Sequence, residues 1–490
     1  MAIPKRVHWD SRTAFVLAAI GSAIGLGNIW RFPYICYKYG GGAFLIPYFV
    51  ALFTAGFPLM ILEFAIGHRM ENSAPLSFAK VSKKTEWLGW FALCTGFIIV
   101  TYYSVIMGWA TKYLFHSFTL AWGTNTRAFF FNNALNISNG VFELGKPQLW
   151  LVAALFVCWI WIILCTWKGI KTVGKVVYVT VTVPWLILII FVVRGLTLPG
   201  AIEGISYYLT PNFKALADPE VWHAAYSQIF FTLTVGFGVM IAYASFLPRK
   251  SDIVNNALII SLANCATSYI AGFAVFSTLG YYAHVSGTTV ANVMKSGPEL
   301  AFVTYPTIIN HLPMPKLFGI CFFLMLLTLG IDSAFSLTES VVAGVRDKFR
   351  WNQKATNFSV ASIAFIIGLL FTTRAGLYWL DIVDYFMNNF GLFIVGFLEA
   401  IFVGYIFGAE KLRRYANGLS EITIGRWWDF LVRYFIPLVS FILLVYSVKD
   451  RILKPYGGYP RSAEFWGGWF VLLIILIISI IFSVKKMKEG

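Results

Sequence analysis

Between Gly21 and Pro33 the chain reads GSAIGLGNIWRFP, so three glycines, an asparagine and an arginine interrupt an apolar run of membrane-spanning length. Glycine weakens a helix, and backbone that leaves the helix inside hydrocarbon frees N–H and C=O groups that something must satisfy. Carbonyls around Ala23 to Gly27 suit a hard cation, and the amides of Leu26 and Gly27, opening the next half-helix, suit an anion. Asn28 adds a neutral oxygen of the kind hard cations take. One break could therefore hold a cation and a carboxylate together. A second run, FFTLTVGFGVM from Phe230 to Met240, contains Gly236 and Gly238 and offers the hydroxyls of Thr232 and Thr234. Asn264 and Ser268 fall i, i+4 on one helix face, and Asp332 stands beside Ser333 in LTLGIDSAF. A carboxylate at membrane depth is a functional candidate by default, with a purely structural ion pair as its alternative. Glu63, in PLMILEFAIG, is another, for which a structural hydrogen bond and a coupling role are both open.

These residues need elements to hold them, and the composition says which. The 490 residues are 59% hydrophobic and 12% charged, with a mean hydropathy of +0.73, far more apolar than a soluble domain. The expectation is an all-α polytopic membrane protein of about twelve transmembrane helices, each apolar run reaching the ~20 residues that cross the hydrocarbon. Spans are expected near 13–37, 42–70, 88–120, 148–166, 173–194, 222–246, 253–283, 317–347, 355–373, 378–408, 428–448 and 464–484. The first is no signal peptide, because Asn28 and Arg31 follow it where a small-residue cleavage site would stand. A net charge of +16 is scattered over short loops and forms no basic domain, which argues against a nucleic-acid partner. With both ends cytoplasmic, roughly 23 Lys and Arg lie inside against roughly 14 outside, as the positive-inside rule asks of a multi-pass protein of the cell membrane. The six cysteines lie in or beside apolar runs and imply no disulfide framework. No Ser/His/Asp set, phosphate loop, HExxH motif or Cys/His metal cluster is present, which argues against an enzyme.

The two interrupted runs are the first and sixth spans, five helices apart. They thus occupy equivalent places in two five-helix halves of opposite topology, 13–194 and 222–408, followed by two additional helices at 428–484. Paired Gly-interrupted segments of this kind point to an inverted-repeat carrier with its site at the midplane. Close helix packing is the simpler reading of either glycine pair alone. The longest connections, 121–147, 195–221 and 284–316, are expected outside, with short helices covering that face. Two Asn-X-Ser triplets, at Asn136 and Asn357, carry no weight.

Taken together, HWDSRTAFVLAAIGSAIGLGNIWRFPY, GGGAFLIPY, SQIFFTLTVGFG, NCATSYIAGFAVFSTLG and TLGIDSAF resemble the neurotransmitter:sodium symporter family, from about Arg6 through the eleventh span. The resemblance implies a LeuT-like 5+5 inverted repeat with helices 1 and 6 broken, and sodium-coupled amino-acid uptake by alternating access. It implies one Na+ site at Ala23, Asn28, Thr232 and Asn264, completed by the substrate carboxylate, and a second at Gly21, Ile24, Leu329, Asp332 and Ser333. The substrate site it implies is Ser22, Ala23, Leu26, Gly27, Ile99, Tyr103, Phe231, Thr232, Thr234, Phe237, Ser333 and Leu337. Tyr103 would donate to the carboxylate, and the carbonyls of Ala23, Phe231 and Thr232 would receive the ammonium. Monoamine carriers of the family have an aspartate where this chain has Gly25, so the substrate here brings its own carboxylate. Apolar Ile99, Phe237 and Leu337 favour a hydrophobic or aromatic side chain, while glycine, GABA and betaine stay open.

The gates resemble the family's as well: Arg31 with Asp384 outside, above a lid of Tyr103 and Phe231, and Arg6 with Asp347 inside. Interfacial anchoring is the plainer reading of both arginines. Gly174 and Pro184 match a glycine-nine-residues-proline spacing at which the fifth helix unwinds toward the inner sodium site. Chloride-dependent members hold the anion with the residue types found at Tyr48, Gln228, Thr232, Asn264 and Ser268, whereas many bacterial members place a carboxylate at the position of Ser268. Chloride is therefore expected, with Glu63 as the competing counter-charge. Phe246 stands where the family's inner network has a tyrosine, and the outer loop lacks the cysteine pair of animal members, as in a prokaryotic protein. A homodimer is left open. Two other readings remain: proton coupling through Glu63 or Asp332, and a transporter-like sensor or channel.

Overall fold

The computed structural model describes residues 7 to 295 and 297 to 486. Among these the chain is helical throughout, with a single isolated β-bridge between Gly41 and Pro211. The first apolar run is two helices, α1 (Arg12–Ala23) and α2 (Gly27–Lys38), bent by 50° at the glycine-rich break. The Ser11 hydroxyl caps α1 by accepting the Ala14 amide at 3.0 Å. Next come α3 (Gly42–Met70), α4 (Lys83–Ser117), α5 (Leu149–Thr166) and α6 (Ile170–Leu196).

The sixth expected span is also two helices, α7 (Pro219–Thr232) and α8 (Val239–Ala244), separated by residues 233–238. Gly236 and Gly238 take φ of +81° and +71°, the left-handed conformation that no interior helical residue adopts and glycine adopts without penalty. Then follow α9 (Val254–Ser286), α10 (Pro315–Phe349), α11 (Gln353–Thr372), α12 (Gly376–Asn417), α13 (Arg426–Gly458) and α14 (Arg461–Val484). Among the described residues ten helices are long and apolar enough to cross a membrane, or eleven with α1 and α2 as one bent span. The α7/α8 pair occupies the place of the remaining expected one. The loops at 121–147, 195–221 and 284–316 carry short helices such as Ala201–Leu209 and Tyr305–His311.

Helices α4 and α10 pack along one another as the central scaffold, with α1 against α6, α9 and α10. Their approach is close: a Cβ on Gly330 of α10 would lie 2.9 Å from Met107 Cγ of α4. Burial follows the same order. The apolar window of α4 is 83% buried and that of α10 is 72%, against 28% for α13 and α14, which present most of their surface to lipid. Both breaks therefore sit beside the most enclosed helices, where freed backbone groups meet protein and not hydrocarbon.

Candidate functional site

The break after α1 is cross-tied by side chains. The Ser22 carbonyl accepts the Thr234 hydroxyl at 3.0 Å and the Ser333 hydroxyl at 3.3 Å, so α1, the 233–238 segment and α10 meet on one oxygen. Ser22 Oγ also meets Ser336 Oγ at 2.8 Å. Thr234 itself has φ +55°, a left-handed conformation that is an outlier for a β-branched residue and costs on the order of 1–3 kcal/mol. Glu63 supplies the counter-hold: its Oε1 accepts the Gly236 amide at 2.6 Å. Glu399 of α12 is buried as well, with Oε1 lacking a hydrogen-bond partner. The sequence left Glu63 open between structure and coupling, and it did not single out Glu399.

A cavity opens between the two breaks, α4 and α10, with about 50 Å³ free to the centre of a water-sized sphere. Eleven of the twelve expected substrate-binding residues line it: Ser22, Ala23, Leu26, Gly27, Ile99, Tyr103, Phe231, Thr234, Phe237, Ser333 and Leu337. Thr232 turns its hydroxyl to Asn28 and Asn264 instead, at 3.1 and 3.2 Å. Gly25, Asn28, Tyr102 and Asp384 complete the lining. The Tyr103 hydroxyl accepts the Leu26 amide at 3.2 Å, which leaves its proton for an acceptor in the cavity. The amide end of α2 opens onto the same space and favours an anion there.

Beside the cavity, oxygen-bearing groups converge on Asn28. The Asn264 amide head lies 2.9 Å from the Asn28 amide, 3.1 Å from the Ala23 carbonyl, 3.2 Å from the Thr232 hydroxyl and 3.3 Å from the Thr232 carbonyl. The side-chain oxygen of Asn264 accepts from Asn28 Nδ2 at 2.9 Å and from the Thr232 hydroxyl at 3.2 Å, with the two carbonyls beside it. The donor set, neutral carbonyls, amides and a hydroxyl, fits a hard cation. Next to it Asn28 Nδ2 donates to Ser268 Oγ at 2.7 Å. Tyr48 and Gln228 are fully buried, yet the Tyr48 hydroxyl and both ends of the Gln228 amide have no hydrogen-bond partner. Buried polar atoms left so cost about 1–3 kcal/mol each.

Of the residues expected to hold a second cation, the buried Asp332 of α10 lies against Gly21 of α1. One of its oxygens would lie 2.8 Å from a Cβ on Gly21, so only glycine leaves room there. Leu329 stands one helical turn before it, and Ile24 follows α1 directly; both are buried. Asp332 Oδ1 accepts a short hydrogen bond from Thr180, at the end of the first half of α6 between Gly174 and Pro184. The sequence did not single out Thr180. Thr180→Val, which keeps the shape and removes the donor, is expected to cost about 1–3 kcal/mol in thermal unfolding, while Thr180→Ser should not. Equal melting temperatures for the Val and Ser proteins would contradict that role.

The expected gates differ from one another. Arg31 and Asp384 make no ion pair within 4 Å: Asp384 accepts from Tyr102 at 2.7 Å and from Asn388 at 2.9 Å. Arg31 lies 5.0 Å over the Phe231 ring and donates to Ser227 at 3.4 Å. Each charge thus satisfies itself locally, the carboxylate on a phenol and the guanidinium on an aromatic face. Of the other pair, Arg6 lies outside the described residues, and Asp347 accepts the Ser73 amide at 2.8 Å. Phe246 contributes through its backbone, its carbonyl accepting the Trp9 amide at 3.0 Å and meeting His8 Nδ1 at 3.3 Å.

The chain was compared with known proteins. The family model described as the sodium:neurotransmitter symporter family matches residues 6–128 and 124–489. An uncharacterised sodium-dependent transporter of Methanocaldococcus jannaschii is 44% identical over 491 residues, covering all of both chains. The sodium- and chloride-dependent GABA transporter 2 of Mus musculus is 34% identical, covering 99% of this chain and 87% of the mouse protein. The sodium- and chloride-dependent taurine transporter of Rattus norvegicus is 33% identical, covering 97% of this chain and 83% of its own. With the family matched over nearly its whole length and a sodium-dependent transporter 44% identical across it, the chain belongs to the sodium:neurotransmitter symporter family and is a sodium-dependent membrane transporter, not an enzyme.

Proposed function

We propose that the protein takes up a small zwitterionic amino acid with Na+ by alternating access, and that chloride supports the cycle. The supporting observation is the position of Asn28, which lines the cavity and also stands in the oxygen cluster with Asn264, Thr232 and Ala23. A substrate carboxylate at the start of α2 would be adjacent to a cation in that cluster, so each raises the other's affinity by the same factor. Tyr103 donates to the carboxylate, and the free carbonyls of the two breaks receive the ammonium. The second Na+ is held by Asp332 with Gly21, Ile24, Leu329 and Ser333.

Size argues for a short substrate. At about 10–15 Å³ per water on the same measure, the cavity holds only a few waters' worth of space. A short substrate such as glycine, alanine or GABA fits that space, with its carbon chain on Ile99, Phe237 and Leu337. The names of the mouse and rat relatives accord with this class.

The unpartnered Tyr48 and Gln228 atoms, with Ser268, favour an anion beside the cation cluster. Glu63 is the weaker counter-charge, since one of its oxygens is committed to the Gly236 amide. In this reading 13–194 and 222–408 are the two repeats that move against each other, 428–484 are the added helices, and both termini are cytoplasmic.

The test is uptake into proteoliposomes under an inward Na+ gradient, with labelled glycine, alanine, GABA, taurine, leucine and tryptophan. Accumulation of a small member that stops when choline replaces Na+ and falls when gluconate replaces chloride is expected. Accumulation driven by a pH gradient alone would favour proton coupling, and saturable binding without accumulation would favour a sensor.

A further inference from the structure

Helix α12 carries two carboxylates one turn apart, Asp381 and Asp384, which therefore move together. Asp384 lines the cavity. Asp381 has both oxygens occupied: Tyr456 donates its hydroxyl to Oδ1 and Tyr459 its hydroxyl to Oδ2, each at 2.9 Å. Both tyrosines belong to 454–460, where α13 gives way to α14. The Tyr456 ring stacks on Tyr385 of α12 with centroids 4.0 Å apart. Arg451, buried to 8% exposure, lies over both rings and is neutralised by Asp450 and Glu464.

This is a large polar investment for holding down one loop, and its mechanical effect falls on a short helical piece. The piece Gly376–Phe386 is followed by the widened, π-helical turn Met387–Gly391, a local weakening at which helices bend. From that turn Asn388 reaches back to Asp384. With the loop fastened, Asp384 sits on Tyr102 and is not paired with Arg31.

We propose that 454–460 is a latch on the outer gate: Tyr456 and Tyr459, through Asp381, hold this piece of α12 where Asp384 cannot reach Arg31, and their release lets the two charges meet. The inference rests on the reading of Arg31 and Asp384 as that gate. Tyr456 and Tyr459 are positioning residues, touching neither substrate nor ion. Because the latched arrangement is the unpaired one, removing the latch shifts the population toward the closed gate.

The experiment uses Tyr456→Phe/Tyr459→Phe, which deletes two hydroxyls and keeps the stacked rings. Spin labels at Lys38→Cys on α2 and Leu377→Cys on α12 report their separation without any substrate. The separation is expected to shorten by several Å in the double variant, and Asp381→Ala should give the same shift without adding to it. An unchanged separation, or shifts that add, would overturn the latch. Dissociation of whichever amino acid the wild type binds in Na+ is expected to slow at least about threefold, with little change in the half-saturating Na+ concentration. A shortened separation with unchanged dissociation would overturn control of the gate. If the wild type binds no amino acid, the transport reading fails, and the label distance alone still decides the latch.

Discussion

Asp332→Asn is expected to abolish Na+-driven uptake while leaving the protein folded. The substitution keeps the shape and a side-chain oxygen for the Thr180 hydroxyl, and it removes the one full negative charge of the second cation set. Removing one partner of a buried charge pair costs about 3–5 kcal/mol, which at 1.4 kcal/mol per tenfold is a rise of about two to three and a half powers of ten in the Na+ needed for half-saturation. Uptake measured against Na+ concentration in proteoliposomes gives this directly. Unchanged Na+ dependence would remove Asp332 from the coupling site and leave its burial as a structural matter of α6 against α10. Asp332→Glu should not rescue, because Gly21 already marks how little space surrounds the carboxylate.

The second large effect is expected from Gly25→Ala. A single added carbon would lie 2.8 Å from Ser333 Oγ and 3.0 Å from Tyr103 Oη, inside the cavity and against the hydroxyl that is to meet the substrate. Overpacking of this kind costs about 1–3 kcal/mol, and here it falls on the ligand's own space, so KM for the amino acid should rise at least about tenfold. The half-saturating Na+ concentration measured by binding without substrate should move less than KM, since the added carbon meets Ser333 and Tyr103 while Gly25 touches Asn28 only through its backbone, its amide donating to Asn28 Oδ1 at 2.9 Å. A KM that does not change would mean that the substrate does not approach Gly25, and the cavity would lose its assignment.

What the sequence made legible was what interrupts a pattern. Glycines, Asn28 and Asp332 stand out because an apolar run of membrane-spanning length has no use for them, and the bends at both breaks follow from them. The helix limits were legible for the same reason, with expected 42–70 against observed Gly42–Met70. Hydroxyls were not. Thr180 and Ser336 sit in apolar helices where a hydroxyl can bond back within its own helix, and Tyr102 reads there as one more core aromatic, so nothing marks the ones that reach across. Thr180 finds Asp332 152 positions away, and Tyr102 finds Asp384 282 positions away. Glu399 was hidden differently: no motif or glycine break stands beside it in the apolar run. The state of the outer gate was illegible too, because family resemblance names Arg31 and Asp384 without saying whether they touch.

The bend of 50° between α1 and α2 fixes a lever ratio. The 12 residues of α1 make an arm about 18 Å long, so a swing of about 20° at the break would carry its far end about 6 Å, roughly two water diameters. Among the described residues that far end is held by the Trp9 indole on the Tyr243 carbonyl at 2.9 Å, the Trp9 amide on the Phe246 carbonyl at 3.0 Å, Arg12 on the Asn256 side-chain oxygen at 2.8 Å and Ser11 with the Tyr178 hydroxyl at 3.2 Å. A small rotation at a site the size of a few waters thus becomes an opening wide enough for a hydrated ion, at the expense of a handful of hydrogen bonds.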